Sequence, residues 1–244
     1  MGRILVINPN TTASMTDNIH QSAVAVAAPT SHIETVNPES GPVSIEGYYD
    51  EVYSVPGLLH EIRQGEARGC AGYVIACFDD TGLGAAREIA RGPVVGIGEA
   101  AMHLASLLGT GFTVITTLPR SVPILEDNAA RYGFDRRCRR VRAANVPVLE
   151  LEEPGSSARK AIKREAQLAL AEDGADTIVL GCAGMADFAA WLSAALDAPV
   201  IDGVAAGVKL VESLIALELR TSKAGAYAYP RAKPYRGLYA DQQP

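Results

Sequence analysis

One local pattern occurs twice in this chain, and the repetition restricts its possible folds more than any other feature. Gly69-Cys70-Ala71-Gly72-Tyr73-Val74-Ile75-Ala76-Cys77 and Gly174-Ala175-Asp176-Thr177-Ile178-Val179-Leu180-Gly181-Cys182 both start at a glycine and run through an apolar, β-branched stretch into a cysteine. Downstream of each, Pro93-Val94-Val95 and Pro199-Val200-Ile201 match; upstream, Arg3 to Asn8 and Phe112 to Thr117 lead into Pro9 and Pro119. Three matches in one order at a nearly constant offset indicate two homologous halves.

Each half alternates strand and helix signals. The runs 3–8, 73–76, 93–97, 112–117, 177–181 and 199–202 are short and continuously apolar, as parallel strands covered on both faces are. Amphipathic stretches at 13–27, 55–68, 83–91, 99–108, 157–172, 186–196 and 204–219 separate them, with Thr11 or Thr12 and Ser156 or Ser157 as N-caps. The expected fold is α/β: two lobes related by a pseudo-twofold axis, each a short, mostly parallel sheet flanked by helices, with a cleft between them. The expected boundaries are 1–97 for the first lobe and 98–203 for the second. A helix at 204–222 returns to the first lobe, and a tail occupies 223–244.

Composition narrows the class. With 244 residues, 48% of them hydrophobic, the chain can bury a sizeable core, and disorder is excluded as its main state. A net charge of −6 argues against nucleic acid, which needs a basic footprint. No run of about 18 apolar residues could span a membrane. Four cysteines (Cys70, Cys77, Cys138, Cys182) without a CxxC pair do not make a disulfide scaffold. Asn8-Pro9-Asn10 ends the first apolar run too early for a secretory signal, and Val6 stands where a myristoylation motif needs Ser or Thr. A soluble cytoplasmic protein with reduced thiols is expected.

Ligands of open α/β sheets bind beyond the carboxyl ends of the strands. Cys77, Cys182, Asn8-Pro9-Asn10 and Thr116-Thr117 all fall at such ends, so the axis relating the lobes would set the two thiols on opposite walls of one cleft. A thiol at a helix N-terminus has its thiolate favoured, and its pKa can fall from ~8.5 toward neutrality. Two such groups across a flat substrate suit removal of a proton from one face of a carbon and its return to the other, which is racemisation or epimerisation. Backbone N–H groups of Phe78, Asp79, Ala183 and Gly184 are candidate donors to the carbonyl that takes up the carbanion's charge. A non-catalytic protein closing its lobes on a small oxyanion is the alternative of a different class, although a binder has no need of matched thiols. Neither cysteine has a second ligand at zinc spacing and His20, His32, His60 and His103 are scattered, so no metal is expected.

The residues carry a family resemblance. Asn8-Pro9-Asn10-Thr11-Thr12, the run Val74 to Leu83, Thr116 to Pro123, Val179 to Met185 and Pro199 to Gly203 resemble the hydantoin racemases of the aspartate/glutamate/hydantoin racemase superfamily. The resemblance extends from residue 3 to about residue 230. It implies a cofactor-independent, two-base mechanism through Cys77 and Cys182 on 5-monosubstituted hydantoins, a homo-oligomer, and a loop at 43–47 that brings Ile45 to the substrate. Gly98 to His103 is also similar to the allantoin racemases, whose substrate is another C5-substituted hydantoin. Decarboxylases of the superfamily keep one of the two cysteines, which sets that reading aside.

Other signals have plainer readings. Gly96-Ile97-Gly98-Glu99-Ala100-Ala101 fits a dinucleotide fingerprint but lacks the acid about 20 residues on, so it reads as a tight strand-to-helix turn. Asp79-Asp80-Thr81 reads as a cap on the following helix, and Ser157-Ala158-Arg159-Lys160 as a cap followed by solvated charge. Arg136 to Arg140 reads as a solvated face or subunit contact. The tail, with Tyr227, Tyr229, Tyr235 and Tyr239, reads as disordered or as an arm docked on another subunit. Cys70, without a repeat mate, reads as an inert small hydrophobe.

Overall fold

The computed structural model describes residues 2–153 and 155–242; Met1 and 243–244, the outer ends of the first-lobe and tail assignments, lie outside them. The first sheet contains β1 (Arg3–Ile7), β2 (His32–Val36), β3 (Gly72–Ile75) and β4 (Val94–Gly96), in the order β2-β1-β3-β4. The second contains β5 (Phe112–Thr116), β6 (Cys138–Ala143), β7 (Thr177–Leu180) and β8 (Val200–Asp202), in the order β6-β5-β7-β8. All six strand pairs are parallel. The two sheets therefore have one topology, as the repeat requires.

The helices are α1 (Ala13–Val26), α2 (Tyr48–Ala67), α3 (Leu83–Ile89), α4 (Ile97–Leu108), α5 (Val122–Arg131), α6 (Ala158–Glu172), α7 (Ala189–Leu196) and α8 (Gly203–Ala216). Leu5, Ile7, Tyr73 and Ile75 pack against Leu58 and Ile62 of α2 and Leu83 and Ala86 of α3. Ile115, Ile178 and Leu180 do the same with α6 and α7. The other faces of both sheets share one core: Ile4, Val6 and Val74 meet Val114 and Val179 through α1, α4 and α8. Central strands buried on both faces have no polar side to alternate with, hence their continuous apolar runs. α8 packs on β3, α1 and α4.

Two strands and one helix depart from the sequence reading. Both missed strands, β2 and β6, lie at sheet edges, where half-exposed side chains break the apolar run. The arginines of the basic run are exposed, and three of them also bond locally. Arg137 donates to the carbonyls of Ser106 and Gly109 at the end of α4 (2.8 and 3.2 Å), Arg139 to that of Thr110, and Arg140 pairs with Asp173. The missed helix, α5, is short and polar on its outer side. Helix α2 starts at Tyr48 rather than 55, with Pro56 inside it instead of at its first turn. The tail lies along its own chain: Lys223 donates to the carbonyls of Arg87 and Glu88 at the end of α3 (2.6 and 2.9 Å), and Arg63 to Gln242.

Capping also differs. Neither Thr12 nor Ser157 bonds its helix through the side chain, and only Ser156 accepts, weakly, from the Ala158 N–H (3.4 Å). The clearest cap is Asp202, whose carboxylate accepts from the N–H groups of Val204 and Ala205 (2.9 Å each) and starts α8. Asp202→Ala is expected to lower the unfolding free energy by about 1 kcal/mol in urea titration, with Asp202→Asn close to the parent.

Candidate active site

Each strand order reverses between its first and third strands: the chain leaves β1 for β2 on one side, then returns to β3 on the other. The crevice at such a switch point binds ligands. At the carboxyl ends of β1 and β3 lie Asn8 and Cys77; at those of β5 and β7 lie Thr117 and Cys182. The two switch points face one another. Asn8, Pro9, Ile45, Cys77, Phe78, Asp79, Thr116, Thr117, Cys182 and Ala183 line one pocket, together with Asn10 of the same strand end, Ser121 of the Thr116 to Pro123 run, and Met15 and Val148, which the sequence reading did not name. Of the residues it named, only Gly184 is absent from this wall. The pocket is narrow, with a cavity volume of about 30 Å³, and is open to solvent.

Local bonds fix these positions. The Asn8 side-chain amide donates to Asn10 Oδ1 (2.9 Å) and Thr16 Oγ1 (3.0 Å), so it holds the turn after β1. Thr12 donates its hydroxyl to the Val43 carbonyl (2.6 Å), and Glu46 accepts from the Val148 N–H (3.1 Å). The loop carrying Ile45 is thereby tied to both halves.

The thiols sit at the strand ends but lack the α-helix N-terminus expected behind each. Cys77 leads into a turn with Asp80 and Gly82 at φ 53° and 70°, and α3 starts only at Leu83. Cys182 leads into a 3-10 segment, Ala183–Phe188, before α7. Without a full helix behind either sulfur, burial dominates. It pushes the Cys77 thiol well above its ordinary value and the Cys182 thiol up to about 12, with the Asp79 carboxyl adding to both rises. Opposing this, Cys77 Sγ accepts from the Thr81 hydroxyl (3.5 Å) and the Asp79 N–H, and Cys182 Sγ from the Gly184 N–H. Two of the four N–H groups expected to serve a carbonyl are thus directed at the sulfurs.

Asp79-Asp80-Thr81 does not cap the following helix, whose N-cap is Gly82. Asp80 instead caps a helix 18 residues further on, accepting from the N–H groups of Gly98 (2.9 Å) and Glu99 (2.7 Å) at the start of α4. The hydroxyl of Tyr132, the residue that follows α5, donates to the same carboxyl (2.7 Å), and Asn128 of α5 donates to the Asp79 carbonyl (2.8 Å). The second half of the chain therefore holds the Cys77 turn. Burial outweighs these donors and pushes the Asp80 carboxyl up to about 7.

The dinucleotide-like glycines belong to this clamp. A Cβ on Gly96 would meet the Asp80 carboxyl, and one on Gly98 the Phe78 carbonyl and Asp80 Oδ2. Among the described residues, no three His, Cys, Asp or Glu converge to hold a metal ion, and no helix is long and apolar enough to cross a membrane. Gly→Ala inside a helix ordinarily gains up to about 1 kcal/mol. Gly98→Ala is expected to reverse that sign and lower the thermal midpoint in calorimetry, because the Asp80 cap must move.

Comparison with known proteins gives this arrangement its relatives. Residues 4–211 match the family Asp/Glu/Hydantoin racemase. The chain is 54% identical to a hydantoin racemase of Rhizobium meliloti over 96% of its own length and 97% of the relative's. Its structure is similar to that of an allantoin racemase from Klebsiella pneumoniae, with a TM-score of 0.97 at 48% identity and full coverage of both chains. An allantoin racemase from Pseudomonas fluorescens follows with a TM-score of 0.92 at 40% identity, covering 96% of this chain and 100% of that one. The chain belongs to the Asp/Glu/Hydantoin racemase family and is an enzyme of the racemase class.

Proposed function

We propose that the protein racemises 5-monosubstituted hydantoins by two-base proton transfer at C5, with Cys77 and Cys182 as the acid–base pair. The observation that carries this reading is the presence of two thiols from equivalent strand ends in the wall of one pocket. The similarity to a hydantoin racemase supports the substrate class. Allantoin, a hydantoin with a ureido group at C5, is the second reading, favoured by the structural likeness to two allantoin racemases.

In the proposed reaction the ring lies flat between the sulfurs. A thiolate on one side takes the C5 proton, forming S–H, and the C–H electron pair moves into the adjacent carbonyl as an enolate. The thiol on the other side then gives its proton to the opposite face and becomes the thiolate. No proton is gained or lost, and the two sulfurs have exchanged roles. The Thr81 hydroxyl and the N–H groups of Asp79 and Gly184 stabilise whichever sulfur is charged. The N–H groups of Phe78 and Ala183 and the hydroxyls of Thr117 and Ser121 serve the carbonyls. In this reading the halves 1–97 and 98–203 supply one base each.

Polarimetry on optically pure 5-benzylhydantoin, 5-isopropylhydantoin and allantoin tests both chemistry and substrate. Cys77→Ser and Cys182→Ser are each expected to lose racemisation by at least ~10²-fold, the lower end of what a positioned acid or base contributes. In heavy water each variant should still exchange the C5 proton of one enantiomer, a different one for each. Equal exchange of both enantiomers by both variants counts against opposed roles.

The pH profile follows from the buried thiols. The active form needs one thiolate and one thiol, so kcat/KM rises as the pair loses its first proton and falls as it loses its second. Burial raises both values, which moves the whole bell upward. Its maximum is expected on the alkaline side of ~8.5, the ordinary thiol value, as read from initial rates between pH 6 and 10.5.

A further inference from the structure

The two sulfurs stand on matching turns that are held in different ways. After Cys77 the Asp80 N–H donates to the Cys77 carbonyl (3.0 Å); after Cys182 the Met185 N–H donates to the Cys182 carbonyl (3.1 Å). Asp80 and Met185 therefore occupy equivalent places. The residues on either side of Asp80 aim the donors at Cys77 Sγ: the Asp79 N–H, and the Thr81 hydroxyl at 3.5 Å. Asp80 itself adopts φ 53°, a left-handed conformation uncommon for a residue with a Cβ. What holds it there lies outside the turn. Its carboxyl accepts from Gly98, Glu99 and the Tyr132 hydroxyl, while Asn128 donates to the Asp79 carbonyl.

Asn128 and Tyr132 are four residues apart, so they approach the turn from one place, the C-terminal end of α5. Neither lines the pocket that contains the sulfurs. The Cys182 turn has no such hold. Ala183, Gly184, Met185 and Ala186 carry no hydroxyl, amide or carboxyl by which another segment could grip them. The Met185 side chain packs instead into the core of its own half, with Leu180, Phe188 and Leu192.

We infer that Tyr132 and Asn128 are positioning residues for the Cys77 base alone: from the other half of the chain they fix the turn that aims the Asp79 N–H and the Thr81 hydroxyl at Sγ, so the two proton transfers depend on them unequally. The inference rests on the two-base reading and deepens it. Neither residue transfers a proton.

Racemisation cannot report this difference, because each turnover in either direction uses both sulfurs. Single-sulfur variants can. In heavy water Cys182→Ser leaves Cys77 to take the C5 proton of one enantiomer, trade it with solvent and return a deuteron to the same face. Cys77→Ser leaves Cys182 to do so for the other. Tyr132→Phe, which removes a hydroxyl and keeps the ring, is added to each. Exchange into 5-isopropylhydantoin, or into allantoin where the wild type turns that over faster, is followed by NMR. It should fall about 10-fold in the Cys182→Ser background, the lower end for a lost hydrogen bond to a charged group, and stay within about twofold in the Cys77→Ser background. Asn128→Ala should divide the two backgrounds in the same sense, and it decides the matter where Tyr132→Phe folds poorly. Equal losses in both backgrounds, as general loosening gives, or no loss where Cys77 acts, overturns the inference.

Alkylation separates this result from the fate of the two-base reading. The protein with both cysteines, with and without Tyr132→Phe, is labelled with iodoacetamide at about pH 9, near the ordinary thiol value, and each cysteine is followed by peptide mass spectrometry. Labelling of Cys77 should slow several-fold in Tyr132→Phe while Cys182 keeps its rate, since only the Cys77 thiolate loses aimed donors. If neither single-sulfur parent exchanges either enantiomer, the two-base reaction fails and labelling alone judges the positioning. An unchanged Cys77 rate, or the same change at both cysteines, overturns it.

Discussion

Removing a thiol from water makes its thiolate costly, and everything at this site follows from how that cost is met. Cys77 and Cys182 are both pushed upward by burial, and neither has the helix dipole that would offset it. What each has is a small number of aimed donors: the Thr81 hydroxyl and Asp79 N–H for one, the Gly184 N–H for the other. In a narrow pocket, such fixed donors replace solvent without having to reorganise. A weakly acidic thiol is also a strong base once ionised, which suits a carbon acid as reluctant as the C5–H of a hydantoin.

The donors are aimed only if the turns bearing them are held, and the Cys77 turn is held from the other half of the chain. Asp80 joins the start of α4 to Tyr132, and Asn128 fixes the Asp79 carbonyl. The glycines at 96 and 98 make room for that carboxyl. On the opposite side Glu46 and Val148 connect the Ile45 loop across the cleft. These cross-links turn two similar sheets into one site with a defined separation between its walls.

The architecture was legible because buried parallel strands write themselves as apolar runs and a duplication writes them twice. β1, β3, β4, β5, β7 and β8 were readable for that reason, and so were the two cysteines at matching strand ends. β2 and β6 were not: unlike the equally peripheral β4 and β8, their runs are interrupted by Glu34 in β2 and by Arg139, Arg140 and Arg142 in β6, the last two engaged with Asp173, Glu165 and Glu172. Of the named pocket residues, all but Gly184 stand in one wall; Asn10 and Ser121 lay in runs that carry the family resemblance, while Met15 and Val148 had no signal of their own.

The sequence by itself determined the duplicated α/β plan, the family, and the pairing of Cys77 with Cys182 as equivalent positions. Periodicity and repetition are local properties, and a chain cannot hide them. Only the tertiary structure decided that burial, not a helix terminus, governs the thiols. It alone showed that Asp80 caps α4 rather than α3. The energy of a buried charge is summed over every wall around it, and those walls come from residues far apart in the chain.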